Sequence, residues 1–382
     1  MVRKDENSPA PLSAESCRSL AQHDLQRGLR NHESCVDNRP NSHCDPEPQV
    51  GQKLGKCHLE AILGKGGSCT VFRARHESLA VPVAVKVLLP DDDARWQQSY
   101  LQLQTEAHLL ARLNHPHIVR ILDFEDHPIL PYLVLELAGG RSLHDLIRHQ
   151  GRLTQDQATA LILQAAEGLS ALWKLNAVHR DVKPANILLT AEGVVKIADL
   201  GQAALLSSAT QGPAMTVVGT AAYLAPEQFL APQTVDSRAD MYGLGATFYE
   251  AVTGETPFTG RSCQEILLHQ VQESPRPPHL LVPQLDRHLS KVILTMLARD
   301  RANRYPSIKA LQDALAHRSC RFWTDRYLLD QSRRDAALVA SKTCNPRGKS
   351  RPELNLTVPR SRSLRQHLAD AFHLAAPVEW LQ

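Results

Sequence analysis

Three short charged motifs lie far apart in this chain, and they can cooperate only if the fold brings one strand and two loops together. The densest is His179-Arg180-Asp181-Val182-Lys183-Pro184-Ala185-Asn186, which sets a carboxylate base and a metal-binding amide among two cations. Asp199-Leu200-Gly201 follows 18 residues after Asp181, an acidic turn whose hard oxygens suit a divalent ion. Val83-Ala84-Val85-Lys86 ends 95 residues before Asp181, a lysine closing a short apolar run.

The chain changes character twice around these motifs. Residues 1–54 are polar and rich in Ser, Asn, His, Asp and Pro. They bury too little to fold alone and are expected to be disordered, with one short helix near 16–29. From there β-like runs appear at 57–63, 70–74, 81–88, 118–125 and 132–136. A helix-period segment at 94–113 carries Leu101, Glu106, Leu109, Leu110 and Leu113. After Gly139-Gly140 the pattern turns helical, with helices expected at 142–149, 154–175 (capped by Thr154), 237–253, 263–272, 287–298 and 307–317. The expected class is α+β: a small β-rich lobe with one main helix at 55–138 and a larger helical lobe at 139–317. Residues 318–382 are a basic tail containing Arg-Ser-Arg-Ser-Leu-Arg at 360–365, read as a solvated extension.

Composition excludes more than it assigns. A formal charge of +3 over 382 residues is too small to imply nucleic acid, and none is expected. No run of about 18 apolar residues occurs, so no membrane span is expected. The N-terminus has no signal-peptide pattern, and the eight scattered cysteines form no CxxC pair. Both suit a reducing, cytoplasmic location. Cys35 and Cys44 with His32 and His43 could ligate a metal, but their spacing fits no tight tetrahedral site.

A cluster such as 179–186 suits phosphoryl transfer, where developing charge must be held while a hydroxyl attacks. A glycine-rich hairpin, Leu63-Gly64-Lys65-Gly66-Gly67-Ser68-Cys69-Thr70-Val71, sits before Lys86, and its main-chain N–H groups could approach phosphates. Alone such a hairpin is an ordinary turn; the strand that follows gives it weight. Together these motifs resemble the protein kinase family, and specifically the bacterial serine/threonine kinases of eukaryotic type. The resemblance covers about residues 55–317, with Gly64, Gly66 and Val71 matching the glycine-loop pattern and Cys69 replacing its third glycine.

The resemblance implies a two-lobed fold with ATP and Mg²⁺ between the lobes, Mn²⁺ being an alternative metal. It implies Asp181 as base, Lys183 beside the transferred group, and Lys86 on the phosphates held by Glu106. Asn186 and Asp199 are the implied metal ligands. Leu63, Gly64, Gly66, Gly67, Val71, Ala84, Lys86, Glu136, Ala138, Asn186, Leu188 and Asp199 are implied to bind the nucleotide. The connection Glu136-Leu137-Ala138 would follow Leu135 at the position that limits the depth of the site. Leu110, Ile121, His179 and Leu200 would stack as a spine tied to Asp240, with Leu200 in place of the usual Phe. Residues 202–224 read as an activation segment, with Ser207, Ser208, Thr210 and Thr216 as acceptors and Arg180 to grip the phosphate. Glu227 is expected to pair with Arg304. Lys183 with Gly219-Thr220 implies Ser/Thr hydroxyls of proteins as acceptors, and a homodimer would allow trans-autophosphorylation. Two rivals remain: a non-catalytic nucleotide-binding scaffold, which Cys69 and Leu200 would favour, and a small-molecule kinase, which should lack Ala225-Pro226-Glu227.

Overall fold

The computed structural model describes residues 47–205 and 218–316, apart from Gly140. The expected helix near 16–29, the Cys35–Cys44 group, Ser207, Ser208, Thr210, Thr216 and the basic tail lie outside the described residues.

The smaller lobe is a six-stranded antiparallel sheet of order β1-β2-β3-β4-β6-β5. Its strands are β1 (Lys53–Leu54), β2 (Cys57–Lys65), β3 (Cys69–His76), β4 (Val81–Leu88), β5 (Ile121–Glu125) and β6 (Tyr132–Glu136). Side chains alternate across a strand. Phe72, Ala74, Val83, Val85, Val87, Tyr132 and Val134 accordingly pack on one face. Ala84, Leu133 and Leu135 join a second cluster, on the side of helix α1 (Asp93–Ala111). Alternation puts Lys86 with Ala84, toward that helix. Asp92 caps α1 by accepting the Arg95 N–H.

The buried stripe of α1 is Leu103, Glu106, Ala107 and Leu110, with Leu109 and Leu113 beside it. These recur at three and four residues, as one helix face requires. Leu101, expected in that stripe, is instead 53% exposed. The strand expected from residue 118 also begins later, at Ile121. Ile118 and Val119 leave the sheet and run parallel to β10 (Val195–Ile197) of the other lobe, where Val119 N–H donates to the Ile197 carbonyl at 2.9 Å. Both are buried there, so the apolar run was satisfied by a different partner.

The larger lobe holds helices α2 (Leu143–Gln150), α3 (Gln155–Trp173), α4 (Val218–Ala221), α5 (Pro226–Leu230), α6 (Arg238–Thr253), α7 (Cys263–Gln272), α8 (Pro278–Leu281), α9 (Arg287–Met296) and α10 (Ile308–Ala316). Short strands β7 (Arg141–Ser142), β9 (Ile187–Leu189) and β10 form one sheet; β8 (Ala177–Val178) and β11 (Ala204–Leu205) form another. Thr154 caps α3 as expected, in a reciprocal capping box with Gln157. Helix α6 is buried from Ala239 through Val252, the mark of a helix at the centre of its lobe. Leu161, Ile162, Leu169 and Leu172 of α3 are all within 1% of full burial. At about 2 kcal/mol each, they hold α3 in the core that supports the loops described next. No helix among the described residues is long and apolar enough to cross a membrane.

Candidate active site

Lys86 connects the two lobes. Its Nζ donates to Glu106 Oε2 at 2.7 Å and to Asp199 Oδ1 at 2.7 Å. Glu106 is 1% exposed and Lys86 12%, whereas Asp199 is half exposed. Burial pushes Glu106 up, with Lys86 opposing it. Burial would push Lys86 down, but Asp199 and Glu106 together hold it above its ordinary value. The Lys86 ammonium pulls Asp199 down to about 2. With both carboxylates ionised, one ammonium leaves the triad one negative charge in excess.

The backbone around this triad is strained to make it. Asp199 sits at φ 61° and ψ 70°, in the left-handed region. A Cβ at Gly201 would make one tight contact, 3.1 Å from Asp199 Oδ1, and ordinary van der Waals contacts at 3.5 Å with Glu106 Oε2 and Lys86 Nζ.

The loop 179–186 is clamped from below. Buried Asp240 of α6 accepts N–H bonds from His179 and Arg180 at 2.9 and 2.8 Å, and a third from Trp173 Nε1 at 2.9 Å. Arg180 sits at φ 68°, a costly conformation for a long side chain. Its N–H is held by Asp240, and its carbonyl accepts from Gln228 Nε2 at 2.8 Å. His179 Nδ1 accepts the Asp181 N–H at 3.3 Å, which makes Nε2 the protonated nitrogen facing the Ala198 carbonyl at 3.2 Å.

Above this clamp, Asp181 Oδ2 accepts from Lys183 Nζ at 2.7 Å and from Asn186 Nδ2 at 3.0 Å. Asn186 Nδ2 also donates to the Asp181 carbonyl at 2.9 Å. The amide nitrogen is thus committed, so Asn186 Oδ1 is the atom suited to a metal. Lys183 Nζ reaches Thr220 Oγ1 at 3.4 Å. No group of three or more His, Cys, Asp or Glu side chains suited to a metal occurs among the described residues. A carboxylate and an amide oxygen suit a hard divalent ion that would take water and phosphate oxygens as its further ligands.

The apolar residues expected around a nucleobase are gathered in one place. Ala84 and Leu135 share a cluster with Val71, Leu137, Leu188 and Ala198, and Ala84 lies directly opposite Leu135 across β4 and β6. Ala138 is buried beside the connection between the lobes. Leu110, Leu200 and Ile121 belong to that same cluster. The glycine hairpin closes with Gly66 N–H donating to the Cys69 carbonyl at 2.7 Å; a Cβ on Gly64 or Gly67 would meet nothing within 4 Å, and Leu63 is exposed. Burial pushes the Cys69 thiol up, and Lys86 nearby only partly offsets it. The group therefore stays a thiol at neutral pH, consistent with an inert side chain.

Glu227 and Arg304 meet as expected, at 2.6 and 2.8 Å in a two-pronged pair. Several partners were not foreseen. Gln228 bonds the Arg180 carbonyl, Tyr223 donates to Glu250 at 2.5 Å, and Lys196 donates to Glu136 at 2.6 Å. Only Gln228 left a local trace: its Oε1 accepts the Ala225 N–H three residues back, a helix-start pattern.

A β-rich lobe and a helical lobe that share a lysine–two-carboxylate triad define a two-lobed protein kinase. Residues 57–318 match the protein kinase domain, and the chain belongs to that family. The relatives it resembles are serine/threonine-protein kinases of bacteria. It is 37% identical over 265 residues to the probable serine/threonine-protein kinase PknB of Bifidobacterium longum, covering 66% of this chain and 38% of that protein. It is 40% identical over 253 residues to the serine/threonine-protein kinase PknB of Mycobacterium tuberculosis, covering 65% and 40%. A probable serine/threonine-protein kinase of Clostridium perfringens is 35% identical over 263 residues, covering 69% and 38%. The chain spans about two-fifths of the length of these relatives.

Proposed function

We propose that the chain transfers the γ-phosphoryl group of ATP to Ser or Thr hydroxyls of proteins, with Mg²⁺ as the metal. The reading rests above all on Lys86, which reaches from β4 to both Glu106 and Asp199 at 2.7 Å. That contact aligns the phosphate-binding lysine of one lobe with the metal-binding acid of the other.

Lys183 and Asn186 both occupy Asp181 Oδ2, so Oδ1 is the oxygen we assign to the acceptor hydroxyl. Asp181 orients that hydroxyl and takes its proton as the oxygen–γ-phosphorus bond forms and the β–γ bridge bond breaks. Lys183 neutralises charge on the transferred group, and Lys86 holds the phosphates of the departing ADP. Asp199 and Asn186 would hold a divalent ion, which would supply further charge neutralisation. The protein's contribution is placement and fixed charge. Thr220, within reach of Lys183, borders the place where an acceptor chain would lie, which favours the serine/threonine reading.

Activation is assigned to autophosphorylation at Thr210 or Thr216, with Arg180 as the cation that receives the phosphate. A transient homodimer would allow the reaction in trans. Labelled ATP with wild type, Asp181→Asn and Lys86→Ala tests the whole reading. Label is expected on wild type and on a generic basic protein, and on neither with the variants. No label from wild type with Mg²⁺ or Mn²⁺ would overturn it.

A further inference from the structure

Glu136 is expected to read a nucleobase through its main chain, yet its side chain is also engaged. Oε1 accepts from Lys196 Nζ at 2.6 Å and from the Arg120 N–H at 2.8 Å. The Glu136 N–H returns to the Arg120 carbonyl at 2.9 Å. Lys196 is the middle residue of β10, directly opposite Leu188 of β9, and Asp199 follows three residues later. Side-chain exposure is only 16% for Lys196 and 28% for Glu136.

The surroundings make this more than a chance surface pair. Ile197 N–H donates to the His117 carbonyl at 3.0 Å, and Val119 N–H donates back to Ile197 at 2.9 Å. The segment after α1 is therefore sewn to β10 by main-chain bonds. At the end of that seam, one carboxylate ties together three parts: the strand entering the interlobe connection, the segment after α1, and the strand leading to Asp199. The candidate floor of the nucleobase site, Leu188, lies across from the lysine that supplies the third tie.

We propose that Lys196 and Glu136 are a positioning pair for the nucleotide. Their bond sets the gap between the connection at 136–138 and the β9–β10 layer, and so the width of the slot that receives the base. The inference rests on the nucleotide site assigned above. An exposed ion pair contributes little, but this one is short and partly shielded, and it shares its acceptor with a main-chain donor, so what it fixes is geometry. Lys196 Nζ bonds Glu136, away from Asp181, Lys183 and the Lys86 triad to which the chemistry is assigned. Its loss therefore acts on nucleotide binding and spares the chemical step.

The test uses the full chain with Lys196→Met, Lys196→Arg and Glu136→Gln. Three quantities are read: KM for ATP against kcat on a generic basic protein, Kd for a fluorescent ATP analogue, and melting temperature without nucleotide. For Lys196→Met, KM and Kd are expected to rise about five-fold with kcat within about two-fold, the upper end of what a partly exposed ion pair contributes. Lys196→Arg should keep most of the affinity. Glu136→Gln should raise Kd similarly and add little on top of Lys196→Met, and it decides the matter if the lysine variant does not fold. Unchanged Kd in both neutralising variants overturns the inference, whether or not the melting temperature drops, because the pair would then be a strut only. An equal loss in kcat overturns it too. A wild type that neither binds the analogue nor labels substrate would instead remove the nucleotide site itself.

Discussion

Arg304 offers the sharpest quantitative prediction, because every donor it has is used. A guanidinium carries five N–H groups. Nε donates to the Ala298 carbonyl at 2.8 Å; one terminal nitrogen serves Glu227 Oε1 at 2.6 Å and the Arg238 carbonyl at 2.8 Å; the other serves Glu227 Oε2 at 2.8 Å and the Arg299 carbonyl at 3.1 Å. The side chain is 0% exposed and its carbon centre lies 4.9 Å from the ring centroid of Tyr242. Neutralising Glu227 as Glu227→Gln leaves a buried cation with three neutral main-chain acceptors. Breaking a buried pair from one side costs about 3–5 kcal/mol. In a domain of this size each kcal/mol lowers the melting temperature by about 3 °C, so a fall of roughly 10 °C is expected by circular dichroism or scanning calorimetry. Arg304→Met should cost at least as much, since it strands three main-chain carbonyls and a carboxylate at once. The double variant should lie well short of the sum, with a coupling of about 2 kcal/mol or more. A Glu227→Gln shift under about 3 °C, or a strictly additive double variant, would refute the reasoning.

Asp181→Asn should keep the fold, because Asn186 and Lys183 still find an oxygen at the same place, while kcat falls by about 10²-fold or more; labelled-ATP turnover beside an unchanged melting curve checks both halves. Lys86→Met removes the ammonium bonded to a carboxylate that is 1% exposed, so Glu106 should take up a proton and nucleotide affinity should collapse, read by equilibrium binding of a fluorescent ATP analogue. His115 is held below its ordinary 6.5 by burial and then by His117 beside it. A base whose folded pKa is depressed stabilises fully above the unfolded value and loses that contribution as pH falls, because the unfolded chain then binds more protons. Urea midpoints should therefore drop between about pH 7.5 and pH 5.5, and drop less in His115→Asn, which keeps an acceptor for the His117 N–H but does not titrate.

What was legible in the sequence had a local period or a motif behind it. Val83, Val85 and Val87 face one way, so Lys86 had to face the other, toward α1. Glu106 falls in register with Leu103, Ala107 and Leu110, and an acid inside an apolar stripe demands a buried partner. In the sequence the pairing was implied by the kinase resemblance; the observed registers of β4 and α1 supply its physical reason. Leu101 was misplaced because it precedes that register by two positions, where a helix turns its side chain away. Ile118 and Val119 were rightly read as extended and apolar, but such a run does not name its partner, and they chose β10 over the sheet. The same limit governs every partner that was missed. Gln228 lies 48 residues from Arg180, Tyr223 lies 27 from Glu250, and Lys196 lies 60 from Glu136. None of these spacings is a period of anything. They are created by the folded chain itself: the segment after α1 is sewn to β10, which draws the end of β6 against a strand of the other lobe. Contacts of that kind carry no motif, and Lys196 with Glu136 is the one that borders the proposed nucleotide site.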